Sequence, residues 1–259
     1  MEGGAEASAE TEAEPPLLIA HGLFGQGRNF HTLARRLATT RRVVAVDMRN
    51  HGQSPWDPVM TYEAMAADLA EAARRLCGGR ANVLGHSMGG KAAMTLALSE
   101  PEVVAALVAV DIAPMPYRHS HLGYVRAMRG LDLGRVTRRS EADPLLAETI
   151  PDAGLRAFIL QSLELKQGVA SWRLNLAALE ANMGAILGFP LTLPESANEG
   201  PAYFLHGGAS DYVAPATHSR IRALFPAAEI EAVEGAGHWL HAERPDEFVA
   251  RADRWLRGL

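Results

Sequence analysis

Ser87 sits at the centre of Gly85-His86-Ser87-Met88-Gly89, a G-x-S-x-G sequence that follows the apolar run Ala81-Asn82-Val83-Leu84 and leads into a helix-like stretch from Lys91 to Leu98. A serine on so sharp a strand-to-helix turn takes a strained backbone conformation, and a side chain at either flanking glycine collides with the neighbouring strand or helix. The pattern predicts a raised, exposed hydroxyl, with Gly90 giving room for the helix start and its first-turn amides able to face an anion. A hydroxyl is a poor nucleophile until a base takes its proton. His238 is the candidate base, in the glycine-flanked loop Gly235-Ala236-Gly237-His238-Trp239-Leu240-His241 between an alternating strand, Glu229 to Val233, and a C-terminal helix. Near the other end, Leu17-Leu18-Ile19-Ala20 runs into His21-Gly22-Leu23-Phe24-Gly25, the position of a loop whose amides receive an oxyanion. Nucleophile, base and anion cradle together predict acyl transfer.

Bringing three such distant segments to one point takes a sheet. Val43 to Val46, Val103 to Ile112 and Ala202 to Leu205 are further continuous apolar runs, and Tyr62, Met65, Leu69, Ala72 and Leu76 recur at helical spacing. Phe248, Ala252, Trp255 and Leu259 form the inner stripe of a closing helix. Strands apolar on both faces, separated by amphipathic helices, predict a mostly parallel sheet covered on both sides. Ligands of such sheets bind at the carboxyl ends of the strands, and His21, Ser87, Asp111, Asp211 and His238 all fall at or just past those ends.

The alternation stops between Pro114 and about Pro201, which reads as short helices with no strand between them. We expect residues 114–201 to form a helical cap over the strand ends, its apolar surfaces lining an acyl pocket, with 17–113 and 202–259 as the core. Residues 1–16 carry five glutamates, no lysine or arginine and two closing prolines, the composition of a disordered acidic tail rather than a leader peptide. At 259 residues and 48% hydrophobic, the chain suffices for one domain with a full core. A formal charge of -5 gives no reason to expect nucleic acid or an anionic membrane as partner. No run reaches the roughly 18 apolar residues of a membrane span, so stable membrane association is not expected and the default location is cytoplasmic. Cys77 ends the apolar face of a helix and reads as a small buried hydrophobe.

The segments His21 to Gly25, Asp47 to Pro55, Gly85 to Lys91, Val110-Asp111-Ile112-Ala113-Pro114, Trp172-Arg173-Leu174-Asn175-Leu176 and Gly235 to Glu243 together resemble the YbfF-type esterases of the α/β-hydrolase superfamily, close to its mitochondrial abhydrolase-domain relative. The resemblance runs from Pro16 to the C-terminus. It implies an α/β-hydrolase fold with a small helical cap inserted after the sixth strand, and activity on acyl esters or acyl thioesters. The short front end leaves little sequence for the first strands common in larger hydrolases. Much of the superfamily carries its acid after the seventh strand, which here gives Asp211; the YbfF-like pattern gives Asp111, after the sixth, and Asp111 is favoured.

In the expected mechanism His238 takes the proton of Ser87, the carboxylate fixes the imidazole tautomer, and water finally hydrolyses the acyl-enzyme. The amides of Met88 and Leu23 would meet the oxyanion, with that of Phe24 as the near alternative. His21, His51 and His86 read as loop-bracing partners, while Arg118 and Arg126 read as a solvated helix face before a substrate anion site. His119 and His121 make no credible zinc site, and neither metal nor cofactor is expected. A serine at the elbow argues against the dehalogenases and epoxide hydrolases of this fold, which need a carboxylate nucleophile. Acyl transfer to an alcohol, perhydrolysis with the same residues, and a non-catalytic ligand receptor are the alternatives.

Overall fold

Strands apolar on both faces are stable only between two layers, and alternate residues of each strand feed the two cores. The computed structural model describes residues 14–118, 120–190 and 197–259. In chain order its strands are β1 (Leu17–Ala20), β2 (Val43–Val46), β3 (Ala81–His86), β4 (Val104–Val110), β5 (Leu163–Lys166), β6 (Val169–Trp172), β7 (Ala202–Gly207) and β8 (Ala228–Val233). Six form one sheet in the order β2-β1-β3-β4-β7-β8, with every neighbouring pair parallel. The helices are α1 (His31–Leu37), α2 (Tyr62–Leu76), α3 (Met88–Ser99), α4 (Leu122–Gly130), α5 (Arg139–Leu146), α6 (Ala153–Leu160), α7 (Leu176–Ala181), α8 (Met183–Leu187), α9 (His218–Leu224), α10 (Leu240–Glu243) and α11 (Pro245–Arg257). Leu17, Ile19, Val108 and Val110 face α1 and α11; Leu18, Ala20, Leu107 and Ala109 face α2, α3 and α9. Among the described residues no strand precedes β1, so the strand before the inserted segment, sixth in the family's count, is the fourth here.

The expected acidic tail falls mostly outside the described residues. Its last two residues are already bound to the sheet, because the Pro15 and Pro16 carbonyls accept bonds from the Asn82 side chain and amide. The segment between β4 and β7 departs from the all-helical expectation. Alongside α4 to α8 it contains the antiparallel hairpin β5–β6, turned at Gln167 and Gly168 with φ of 52° and 79°. Two successive left-handed residues make the tight turn that matches strand twist, so a residue-glycine pair between short alternating runs was the overlooked signal. From this hairpin the Trp172 to Leu176 motif stitches the insertion to the core. The Arg173 carbonyl accepts from the Gly52 amide at 2.8 Å, and the Asn175 amide donates to the Asn50 carbonyl at 2.9 Å.

Cys77 is buried at the end of α2. Arg126 pairs on the surface with Glu180 of α7 at 2.8 Å, and Arg118 is exposed. His119 lies outside the described residues. Among the described residues no group of three metal-ligating side chains occurs, and no helix is long and apolar enough to cross a membrane.

Histidines brace the loops at the carboxyl ends of the strands. His21 bonds the Gly22 carbonyl at 2.8 Å through Nδ1 and accepts from the Met48 amide at 2.9 Å through Nε2; His51 bonds the Arg49 carbonyl at 2.9 Å and accepts from the Phe24 amide at 3.2 Å. His86 donates through Nε2 to the His238 carbonyl at 2.9 Å, and His241 stacks on Phe30. Burial disfavours the charged ring, holding His21 down to about 4, His51 and His241 to about 3, and His86 well below its ordinary value. These rings stay neutral in the fold but gain a proton near pH 6.5 once unfolded, so stability falls as pH drops below 6.5 and continues falling to the folded values. The direction is the same for all four rings, so their protonation works against the fold together as pH falls. Thermal melts followed from pH 7 to pH 4 are expected to show a progressive loss of Tm below pH 6. A Tm unchanged down to pH 4.5 contradicts this account.

The elbow makes a second demand. A Cβ on Gly89 would stand 2.6 Å from the His21 carbonyl oxygen and closer still to that of Ala20, and neither backbone atom can retreat without breaking the sheet. Gly89→Ala is expected to cost about 3 kcal/mol or more in urea unfolding. Gly130→Ala, with nothing within 4 Å of the added methyl, is expected to be neutral or slightly stabilising.

Candidate active site

The strand order reverses between β1 and β3, so the loops leaving their carboxyl ends diverge and open a crevice. Ser87 stands in it, between β3 and α3, with φ 53° and ψ -117°. That conformation costs an L-residue on the order of 1–3 kcal/mol and persists only where the surroundings enforce it. Here the Ser87 amide donates to the Val110 carbonyl at 3.0 Å, its carbonyl accepts from the Lys91 amide at 3.1 Å, and glycines 85, 89 and 90 let α3 press on β1 and β3. The side chain is half-buried and points at His238, whose Nε2 lies 3.2 Å from Ser87 Oγ.

His238 is fixed from three sides. Its Nδ1 lies 2.7 Å from Oδ2 of Asp111, its ring stacks on Tyr212 with centroids 4.0 Å apart, and its carbonyl takes the His86 bond. A carboxylate only accepts, so Nδ1 carries the proton and the lone pair of a neutral ring is on Nε2, facing the serine. Asp111, fully buried just past β4 with φ 49°, accepts from the Gly207 amide at 2.9 Å through Oδ1 and from the Ser210 hydroxyl at 2.5 Å through Oδ2. Every Asp111 oxygen is therefore bonded. Asp211, the alternative acid, is exposed and has no described bond to His238. The turn after β7 explains why: the Ser210 amide closes back on the Gly207 carbonyl at 3.1 Å, which turns Ser210 and Tyr212 inward and Asp211 outward.

The candidate anion cradle lies on the opposite side of Ser87. A Cβ on Gly22 would stand 3.2 Å from the Ser87 Cβ, so the His21 to Gly25 loop passes directly over the Ser87 turn. The Phe24 amide is taken by His51, whereas among the described residues no hydrogen bond engages the amides of Leu23 or Met88. Both residues line a cavity of about 40 Å³ with Ser87. Met88 also opens α3, a 12-residue helix with no acidic residue in its first turn, so its positive end faces that cavity. Residues His121, Ile186 and Leu187 of the insertion complete the wall, which puts part of the insertion beside Ser87.

Three partners of the site escaped the sequence reading: Ser210 on Asp111, Tyr212 on His238, and Lys91 in the cavity wall. Lys91 alone had a legible signal, as the one charged residue of an otherwise uncharged α3. It is buried, and burial pulls its ammonium down to about 7.

With this geometry in hand, comparison with known proteins is specific. The alpha/beta hydrolase fold family matches residues 15–245. The sn-1-specific diacylglycerol lipase ABHD11 of Mus musculus is 43% identical over 250 residues, covering 93% of this chain and 81% of that one. Esterase YbfF of Escherichia coli (strain K12) is 37% identical over 244 residues, covering 93% and 92%. A solved structure of a marine microorganism esterase superposes with a TM-score of 0.88 at 35% identity, covering 94% of this chain and 96% of that one. The resemblance read from the motifs is thus borne out, and the chain belongs to the α/β-hydrolase fold family, among its esterases and lipases.

Proposed function

We propose that this ester hydrolase cleaves acyl esters and acyl thioesters through Ser87, His238 and Asp111 by way of an acyl-enzyme. One observation carries the reading: the unbroken contact line from Ser87 Oγ to His238 Nε2 at 3.2 Å and from His238 Nδ1 to Asp111 at 2.7 Å. His238 Nε2 takes the hydroxyl proton as Oγ attacks the acyl carbonyl, and Asp111 stabilises the imidazolium that forms. Charge then develops on the carbonyl oxygen, where the Leu23 and Met88 amides and the positive end of α3 oppose it without reorganising. The same imidazolium protonates the leaving oxygen or sulfur. Water, deprotonated by His238 in its turn, releases the acid and restores Ser87. The names of the relatives, an esterase and a diacylglycerol lipase, support the ester class.

Ser87→Ala is expected to lower kcat on p-nitrophenyl esters on the order of a million-fold with an unchanged melt, and retention of more than about a hundredth of the activity would remove Ser87 as nucleophile. The two aspartates are expected to separate cleanly. Asp111→Asn is expected to cost up to roughly ten-thousand-fold in kcat, since an amide cannot hold the tautomer or the imidazolium. Asp211→Asn, exposed and outside the contact line, is expected to stay within about threefold of wild type; the reverse ranking in steady-state kinetics would transfer the role to Asp211.

A further inference from the structure

Resting on that reading of Ser87, His238 and Asp111, we infer that Ser210 is a positioning residue for the reaction. Its hydroxyl shares Asp111 Oδ2 with His238 and keeps the carboxylate from holding a proton on the imidazole at neutral pH. The base has to be neutral to take the Ser87 proton, yet a fully buried carboxylate 2.7 Å from Nδ1 favours the charged ring. The turn after β7 supplies the counterweight.

The donors are directed in sequence. Oδ1 of Asp111 accepts from the Gly207 amide at 2.9 Å, which fixes the plane of the carboxyl group. Oδ2 accepts from two sides, from His238 Nδ1 at 2.7 Å and from the Ser210 hydroxyl at 2.5 Å. The Ser210 oxygen has one proton to give and itself receives the Tyr212 amide at 3.3 Å, so that proton goes to the carboxylate. A hydroxyl bonded to an ionised oxygen is a strong, charge-assisted donor, and it draws negative charge away from the side that faces the imidazole. The turn is held in place by Tyr117, whose hydroxyl accepts from the Ala113 amide at 2.9 Å and donates to the Tyr212 carbonyl at 2.6 Å. Ala113 lies two residues beyond Asp111, so acid and turn are fastened to each other. From the same turn the Tyr212 ring covers His238.

Other ionisable groups face the pair as well. Tyr117 and Tyr212 face Asp111, and His86 and His241 face His238. Burial raises both phenols and lowers both histidines, so none of the four changes charge between about pH 5.5 and 9. The Glu243 carboxylate sits on the Gly237 amide at 2.7 Å, and that of Asp211 is exposed beside Ser210. Truncating Ser210 leaves all six in the chain.

The test is the pH profile of kcat/KM for p-nitrophenyl acetate on the full chain, compared among wild type, Ser210→Ala and Ser210→Thr, with melts to establish folding. Without the hydroxyl the imidazole holds its proton more tightly, so Ser210→Ala is expected to move the acid limb up by about half a pH unit or more. It is also expected to lower the alkaline plateau by up to roughly tenfold, because Asp111 loses a fixed partner. Ser210→Thr, which keeps the hydroxyl, is expected to return the limb to within about 0.2 of its wild-type position. A merely structural role lowers the plateau and leaves the limb in place. If Ser210→Ala does not fold, Ser210→Cys, a weak donor, is read in its stead, with the limb expected to move in the same direction. A limb that stays or moves down in the folded variant, or that moves as far in Ser210→Thr, overturns the inference while leaving Ser87 as nucleophile. A wild type that turns over no activated ester fails the reading of Ser87 itself.

Discussion

The left-handed backbone at Ser87 is the constraint from which the rest of the site follows. A serine does not hold φ 53° on its own. It is held because β3 must end, α3 must begin within one residue, and both remain packed against β1. The packing is so close that Gly85 and Gly89 touch neighbouring backbone with their hydrogens alone. The sheet thereby keeps a polar, half-buried group aimed away from its own core. Asp111 repeats the device one strand over, at φ 49° after β4, which turns its carboxylate back toward the crevice instead of along the strand. Two strained residues on adjacent parallel strands converge on one imidazole.

Around that convergence the histidines divide by environment. His21, His51, His86 and His241 are buried, kept neutral, and spent on hydrogen bonds and stacking that hold loops together. His238 alone combines a buried carboxylate on one nitrogen with an open approach to a hydroxyl on the other. The same sorting applies to amides: His51 occupies the Phe24 N–H, which leaves Leu23 and Met88 as the pair facing the cavity. Burial and hydrogen-bond satisfaction thus leave one histidine and one pair of amides open to the cavity in a loop region rich in candidates.

Much of this was legible in the sequence because the signals are local. G-x-S-x-G after an apolar run specifies its own turn, and doubly apolar strands specify a covered parallel sheet. The acid was harder. Asp111 and Asp211 both follow strands, and the distinction depends on the turn after β7, where the Ser210 amide folds back on Gly207 and swings Asp211 into solvent. That is a tertiary fact with no compositional trace. The hairpin β5–β6 leaves only a local trace: its strands are four residues each and not continuously apolar, so the Gln167-Gly168 turn pair is its one signal among the surrounding helices. Tyr212 stacking on His238 likewise has no sequence counterpart, since residues this far apart in the chain meet only once β7 and β8 are paired.

The central claim is that Ser87 is the activated hydroxyl and that its activation comes from His238. Site-resolved mass spectrometry after treatment with an alkyl fluorophosphonate tests both at once. The account expects a single phosphonyl adduct on the peptide bearing Ser87 in wild type, formed rapidly, and labelling slowed at least a thousandfold in folded His238→Ala. Rapid labelling of Ser87 in the absence of the His238 imidazole, or an adduct on another residue while Ser87 stays unmodified, would contradict it.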